Sequence, residues 1–185
     1  MEYRSSFFVW AVLETGFFCF LFYNKRENVN GGMFMAIWER VNFTRTATVN
    51  TLEKIDEGKW DQQPEGFPNT IRWNAGHIYL VMEALMTKAA PDLETNIQKY
   101  APFFSPGTKP SDWPDTVPSK EDIIHLLVDQ QKRMQQHLDS RLSDQPANEI
   151  MIGPLKLESI DDLLNFLLFH EGMHLGVIQS QMKLV

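Results

Sequence analysis

The 185-residue sequence predicts an all-α fold, a four-helix bundle with a long proline-rich loop between its second and third helices. Three observations lead there. Four segments carry apolar residues at alternating steps of three and four, the spacing of one helix face. Strand-like alternation is almost absent, apart from a few residues around Gly153-Pro154. Six of the ten prolines fall between positions 91 and 118 and forbid one continuous helix there.

The length suits one domain with a core that needs no disulfide staples. Hydrophobic residues make up 43% and charged residues 22%, which excludes a wholly disordered chain. A formal charge of −7 argues against a nucleic-acid partner, since phosphate binding needs a basic surface. The single cysteine, Cys19, allows no internal disulfide and fits a reducing, cytoplasmic compartment.

Residues 1–32 read as an N-terminal extension, and residues 33–185 as the bundle domain. The extension holds FFVWAVLETGFFCFLFY at 7–23, flanked by Arg4 and by Lys25-Arg26. At 17 residues, with Glu14 and Gly16 inside, this run falls short of the 20 or so that span a membrane. No small-residue cleavage site follows it. It reads as a weak anchor, as a helix packed on the body, or as translation from a start codon upstream of the native one. We favour the last, because Met33 and Met35 open the first well-patterned segment.

The first helix is expected at 34–57, with Phe34, Trp38, Val41, Thr48, Leu52 and Ile55 on one stripe and Gly58 beyond it. The second, at 70–88, starts from an Asn69 or Thr70 cap and buries Ile71, Ile78, Val81, Met82 and Leu85. The 91–118 loop carries Phe103, Phe104 and Trp113, so it packs on the body and can rim a site. The third helix, at 120–142, opens on a Ser119 cap with Glu121 and Asp122 behind it, acids that suit the positive end of a helix. After a short hairpin or extended loop around Gly153-Pro154, the fourth helix runs 160–182 from a Ser159 cap.

On that last helix the inward stripe reads Leu163, Leu167, His170, His174, Val177. Residues four apart face the same way, so two imidazoles can converge on one ion. The stretch FHEGMH also spells the H-E-x-x-H box of zinc proteases. Those enzymes take a third ligand further along, whereas here HLGVIQSQ follows and no acid comes after Glu171. The third ligand must come from upstream. Three histidines are available: His125 beside Ile124 on a charged face, His137 near Met134, and His77 in the second helix.

His77 in WNAGHI, with His170 and His174 in FHEGMHLG, is similar to the DinB/YfiT-like family of metal-binding four-helix bundles. The resemblance covers about residues 34–183, including the helix order and the extended segment before the last helix. It implies that His77, His170 and His174 hold a divalent ion, zinc or nickel, with open positions for water or substrate. It further implies a small-molecule substrate, a low-molecular-weight thiol as co-substrate, and a homodimer. Where many relatives place a basic residue, Gly and Gln after the box, this sequence has Leu175, Gly176 and Val177, so their substrate does not carry over.

The function expected is that of a metal-dependent thiol S-transferase. The alternatives are a metal-dependent hydrolase of the same fold and a non-catalytic, stress-related metal-binding protein. Glu171 is the candidate catalytic residue, as general base toward metal-bound water. Its other reading is a carboxylate on the surface or bonded behind the ligands.

Overall fold

Four long helices form the body of this computed structural model, which describes residues 32–114 and 116–185, with side chains from residue 37 onward. They are α1 (Gly32–Glu53), α2 (Ile71–Ala89), α4 (Lys120–Leu138) and α5 (Ile160–Met182). A shorter helix, α3 (Ile97–Phe104), a two-stranded hairpin, β1 (Ile150–Ile152) with β2 (Leu155–Leu157), and three short 3-10 turns accompany them among the described residues. The all-α bundle expected from the sequence is the fold observed. The expectations for residues 1–31, the extension and its apolar run, lie outside the described residues. No helix among the described residues is long and apolar enough to cross a membrane.

Local sequence explains each boundary. Thr70, Ser119 and Ser159 each accept a hydrogen bond at the start of a helix, from the backbone N–H of Trp73, Asp122 and Asp162. At Ser119 the arrangement is reciprocal, because the Asp122 carboxylate also accepts from the Ser119 N–H. The hairpin pairs Ile150 with Leu157 and Ile152 with Leu155 across Gly153-Pro154. Gly153 has φ of 57°, a left-handed conformation suited to the first central position of a two-residue turn.

The proline-rich segment holds a helix the sequence reading did not include. Pro102 lies inside α3. A proline there removes one amide donor, and burial of Tyr100 and Phe104 outweighs that loss in so short a helix. This helix packs on α2 and covers a side that would otherwise face water. As a result α2 is buried almost all round, from Ile71 to Ala89.

Helix α5 packs on both α1 and α2, and α4 on both α1 and α2, so the four close into a ring. The apolar core inside is split in two. One cluster joins Ile37, Val41, Met86, Met134, Leu163 and Leu167. The other joins Leu52, Ile71, Ile78, Ile123, Leu127 and Ile178. Between them lies a layer of polar side chains, with the histidines of α5 at the same level along that helix.

Candidate metal centre

His77 on α2 and His170 and His174 on α5 come together, with one ring nitrogen of each within 4.8 Å of the others. His77 is buried and the two α5 histidines are half-buried. His125 is exposed on α4. His137 bonds to Asp92 at 2.8 Å and to Arg141 at 2.9 Å on the outside of the bundle. Of the three upstream histidines, His77 is the one that lies beside His170 and His174.

Neighbouring oxygens decide which nitrogen of two rings faces the centre. His77 Nδ1 lies 2.7 Å from the Phe104 carbonyl, which can only accept, so Nδ1 carries the proton and Nε2 keeps its lone pair. Asn74 works in the same way on His174. Its amide nitrogen donates to the Thr70 carbonyl at 2.8 Å, which turns its oxygen toward His174 Nδ1, also at 2.8 Å. His174 Nε2 is thereby left with its lone pair free to ligate a metal ion. Outer partners of this kind fix ring orientation and raise ligand basicity. The Trp73 ring stacks on His77 at 4.4 Å between centroids and 15° between planes, which holds that imidazole from the side.

These residues fit a divalent ion. At metal–nitrogen distances of about 2.0–2.1 Å, two ligands of one ion stand at most about 4.2 Å apart, so small rotations of the rings suffice. The donor set is three neutral imidazoles. Burial pulls the pKa of His174 down to about 3, helped by nearby His170 and His77, and that of His170 down to about 4, helped by His77. For His77, burial lowers the value and the bond to Phe104 opposes it. At neutral pH the metal-free site therefore has no proton to displace.

A pH dependence follows for the metal-free protein. Histidines titrate near 6.5 in an unfolded chain, well above the folded values of His170 and His174. In between, the unfolded state binds more protons, so stability is complete above about 6.5 and falls as pH drops toward 4. Denaturant midpoints from pH 7 to 4 should decline, and substituting His170 and His174 together should flatten the decline.

Glu171, read as a general base or as a carboxylate on the surface or behind the ligands, faces Arg45. It is buried, and both of its oxygens accept from Arg45 on α1, Nε at 3.0 Å to Oε1 and Nη2 at 2.9 Å to Oε2. The inward stripe read from the sequence is rotated accordingly. The buried line on α5 runs Leu163, Leu167, Glu171, Ile178, and the histidines flank it on the side of α2. A base must release its partner to take a proton, and Arg45, 1% exposed, has nowhere else to place its charge.

Three contributors to the site escaped the sequence reading: Asn74, the Phe104 carbonyl and Arg45. Asn74 was legible in principle, three residues before His77 and so on the same helix face. The other two come from distant parts of the chain and have no local signal.

Gly76 explains how Phe104 reaches His77. A Cβ at Gly76 would stand 2.5 Å from three ring carbons of Phe104, which is fully buried. Gly76→Ala should therefore cost about 1–3 kcal/mol of overpacking, more than the roughly 1 kcal/mol that alanine gains over glycine in a helix. Displacing Phe104 also loosens the carbonyl on His77, so zinc affinity should fall about 10–100-fold. Thermal unfolding and a chelator competition check both. A variant as stable and as tight as wild type would refute the coupling.

The sequence profile of the DinB superfamily matches residues 40–178, which span α2, α3, α4 and the three histidines. A comparison with curated proteins returns no match. With most of its length covered by that profile and its bundle closing around a histidine triad, the chain belongs to the DinB superfamily.

Proposed function

We propose that this protein is a metal-dependent S-transferase, joining a low-molecular-weight thiol to a small electrophile, with zinc or nickel held by His77, His170 and His174. The observation that carries the proposal is the donor set: three neutral imidazoles and, among the described residues, no carboxylate in the cluster. A divalent ion so held keeps its full charge and lowers the pKa of a thiol in an open position.

The protein's own residues do the rest by placement. Phe104 and Asn74 hold two rings with Nε2 forward, and Trp73 shields the face of His77. His170 and His174 remain partly exposed, which leaves an approach for substrate. Glu171 is the counter-ion of Arg45 in this reading. A hydrolase would draw hydroxide from water on the same ion, and it is the resemblance to thiol-dependent relatives that favours the thiol. The thiol sulfur bonds to the electrophilic carbon, its proton passes to solvent, and a halide leaves or an epoxide oxygen takes up a proton.

The test is a panel of thiols, glutathione and bacillithiol among them, against halogenated and epoxide electrophiles, with and without zinc or nickel. Metal-dependent conjugation supports the proposal. Metal-dependent cleavage of esters or amides without thiol transfer replaces it with the hydrolase reading, and neither activity leaves a non-catalytic metal-binding protein. A homodimer belongs to the same proposal, and sedimentation at micromolar concentration reads it.

A further inference from the structure

We infer that the buried polar ladder Glu171–Arg45–Gln130–Glu83 is a positioning device for the histidine centre. It sets the rotation and height of α5 against the other three helices, so that His170 and His174 meet His77. This inference rests on the metal-binding reading above.

The ladder takes one residue from each long helix, and each is at most 4% exposed. Arg45 on α1 holds Glu171 through two nitrogens and donates through Nη1 to the Leu127 carbonyl at 2.6 Å and to Gln130 Oε1 at 3.2 Å. Gln130 on α4 then donates through Nε2 to Glu83 Oε1 and to the Tyr79 carbonyl on α2, both at 2.9 Å. Glu83 is closed off by Arg133 and by the Thr95 hydroxyl. Both carboxylates of the ladder have a partner of opposite sign, Glu171 in Arg45 and Glu83 in Arg133.

Its level in the fold is the informative feature. On three helices the ladder residue falls between positions of one apolar cluster and positions of the other: Arg45 between Val41 and Leu52, Gln130 between Leu127 and Met134, Glu171 between Leu167 and Ile178. Glu83 sits near the same boundary on α2, between Leu80 and Met86 and next to Met82. Apolar burial is non-directional, so two blocks of Leu, Ile and Met allow a helix to roll or slide at modest cost. A guanidinium–carboxylate pair has a fixed planar geometry, and buried it tolerates no slip without stranding a desolvated charge. Specifying register is the best-attested use of buried polar groups, whose net contribution to stability is often near zero.

Glu171 is well placed to transmit that register. It follows His170 directly and lies three residues before His174, so any roll of α5 that moves its carboxylate turns both rings away from His77. Two of the three imidazoles ride on the one helix whose rotation this ion pair sets.

The test uses the full chain with Arg45→Met and Glu171→Leu combined, an exchange that removes both charges and keeps the volume apolar. Three quantities are read: zinc affinity by chelator competition, the cobalt(II) absorption spectrum, and histidine ring nitrogen shifts in the metal-free protein. We expect a folded variant with zinc affinity reduced about 10–100-fold, an altered cobalt spectrum, and loss of the single His174 tautomer. Zinc affinity, cobalt spectrum and ring shifts indistinguishable from wild type would overturn the inference. Should the double variant not fold, Gln130→Met cuts the ladder while leaving both ion pairs, and the same unchanged readings there would overturn it. Wild-type protein that binds no zinc refutes the metal reading instead, and the ring shifts then decide the ladder's role alone.

Discussion

Alanine at His77, His170 or His174 should lower zinc affinity by more than about 100-fold, because losing a ligand outweighs the 10–100-fold typical of losing a partner behind one. The three ring nitrogens already lie within 4.8 Å of one another, and two of the rings are held with Nε2 toward the centre. Removing one imidazole leaves two ligands, too few to hold a divalent ion tightly. His125→Ala and His137→Ala are the controls. The first ring is exposed and the second is engaged by Asp92 and Arg141, so both variants should bind zinc as wild type does. Competition against a chromogenic chelator separates the two groups of variants. Wild-type affinity in His77→Ala would remove this histidine from the centre and break the assignment.

The second large effect is on stability. Glu171→Leu on its own should destabilise the protein by about 3–5 kcal/mol, because Arg45 stays buried without its counter-ion. Adding Arg45→Met should recover most of that loss, since an apolar pair of similar volume fills the gap without desolvated charge. Equilibrium denaturation of the two single variants, the double variant and wild type gives the coupling directly. Additive losses would mean that the two side chains act independently, contrary to their bidentate contact. Recovery of stability without recovery of zinc affinity would separate the ladder's role in register from any role in holding the fold.

Much of the architecture was legible in the chain. The steps of three and four in α1, α2, α4 and α5, with the Thr70, Ser119 and Ser159 caps, sufficed for four helices and for most of their boundaries. The histidine triad was legible as well, through the i, i+4 spacing of His170 and His174 and the resemblance that pointed to His77. These features are local, and periodicity or capping chemistry expresses them within one turn of helix.

Tertiary structure alone decided the rest. Helix α3 forms across Pro102 because α2 offers Gly76 as a seat for Phe104, a contact 28 residues apart in sequence that no local propensity reports. The roll of α5 was misread for the same reason. A glutamate between two histidines reads as the exposed neighbour of two inward rings, because a lone carboxylate is costly to bury. Arg45, 126 residues away, reverses that balance by supplying the opposite charge, so Glu171 goes to the centre and the histidines turn toward α2. Spacing determined which residues could share a face, and the partner across the bundle determined which face was inside.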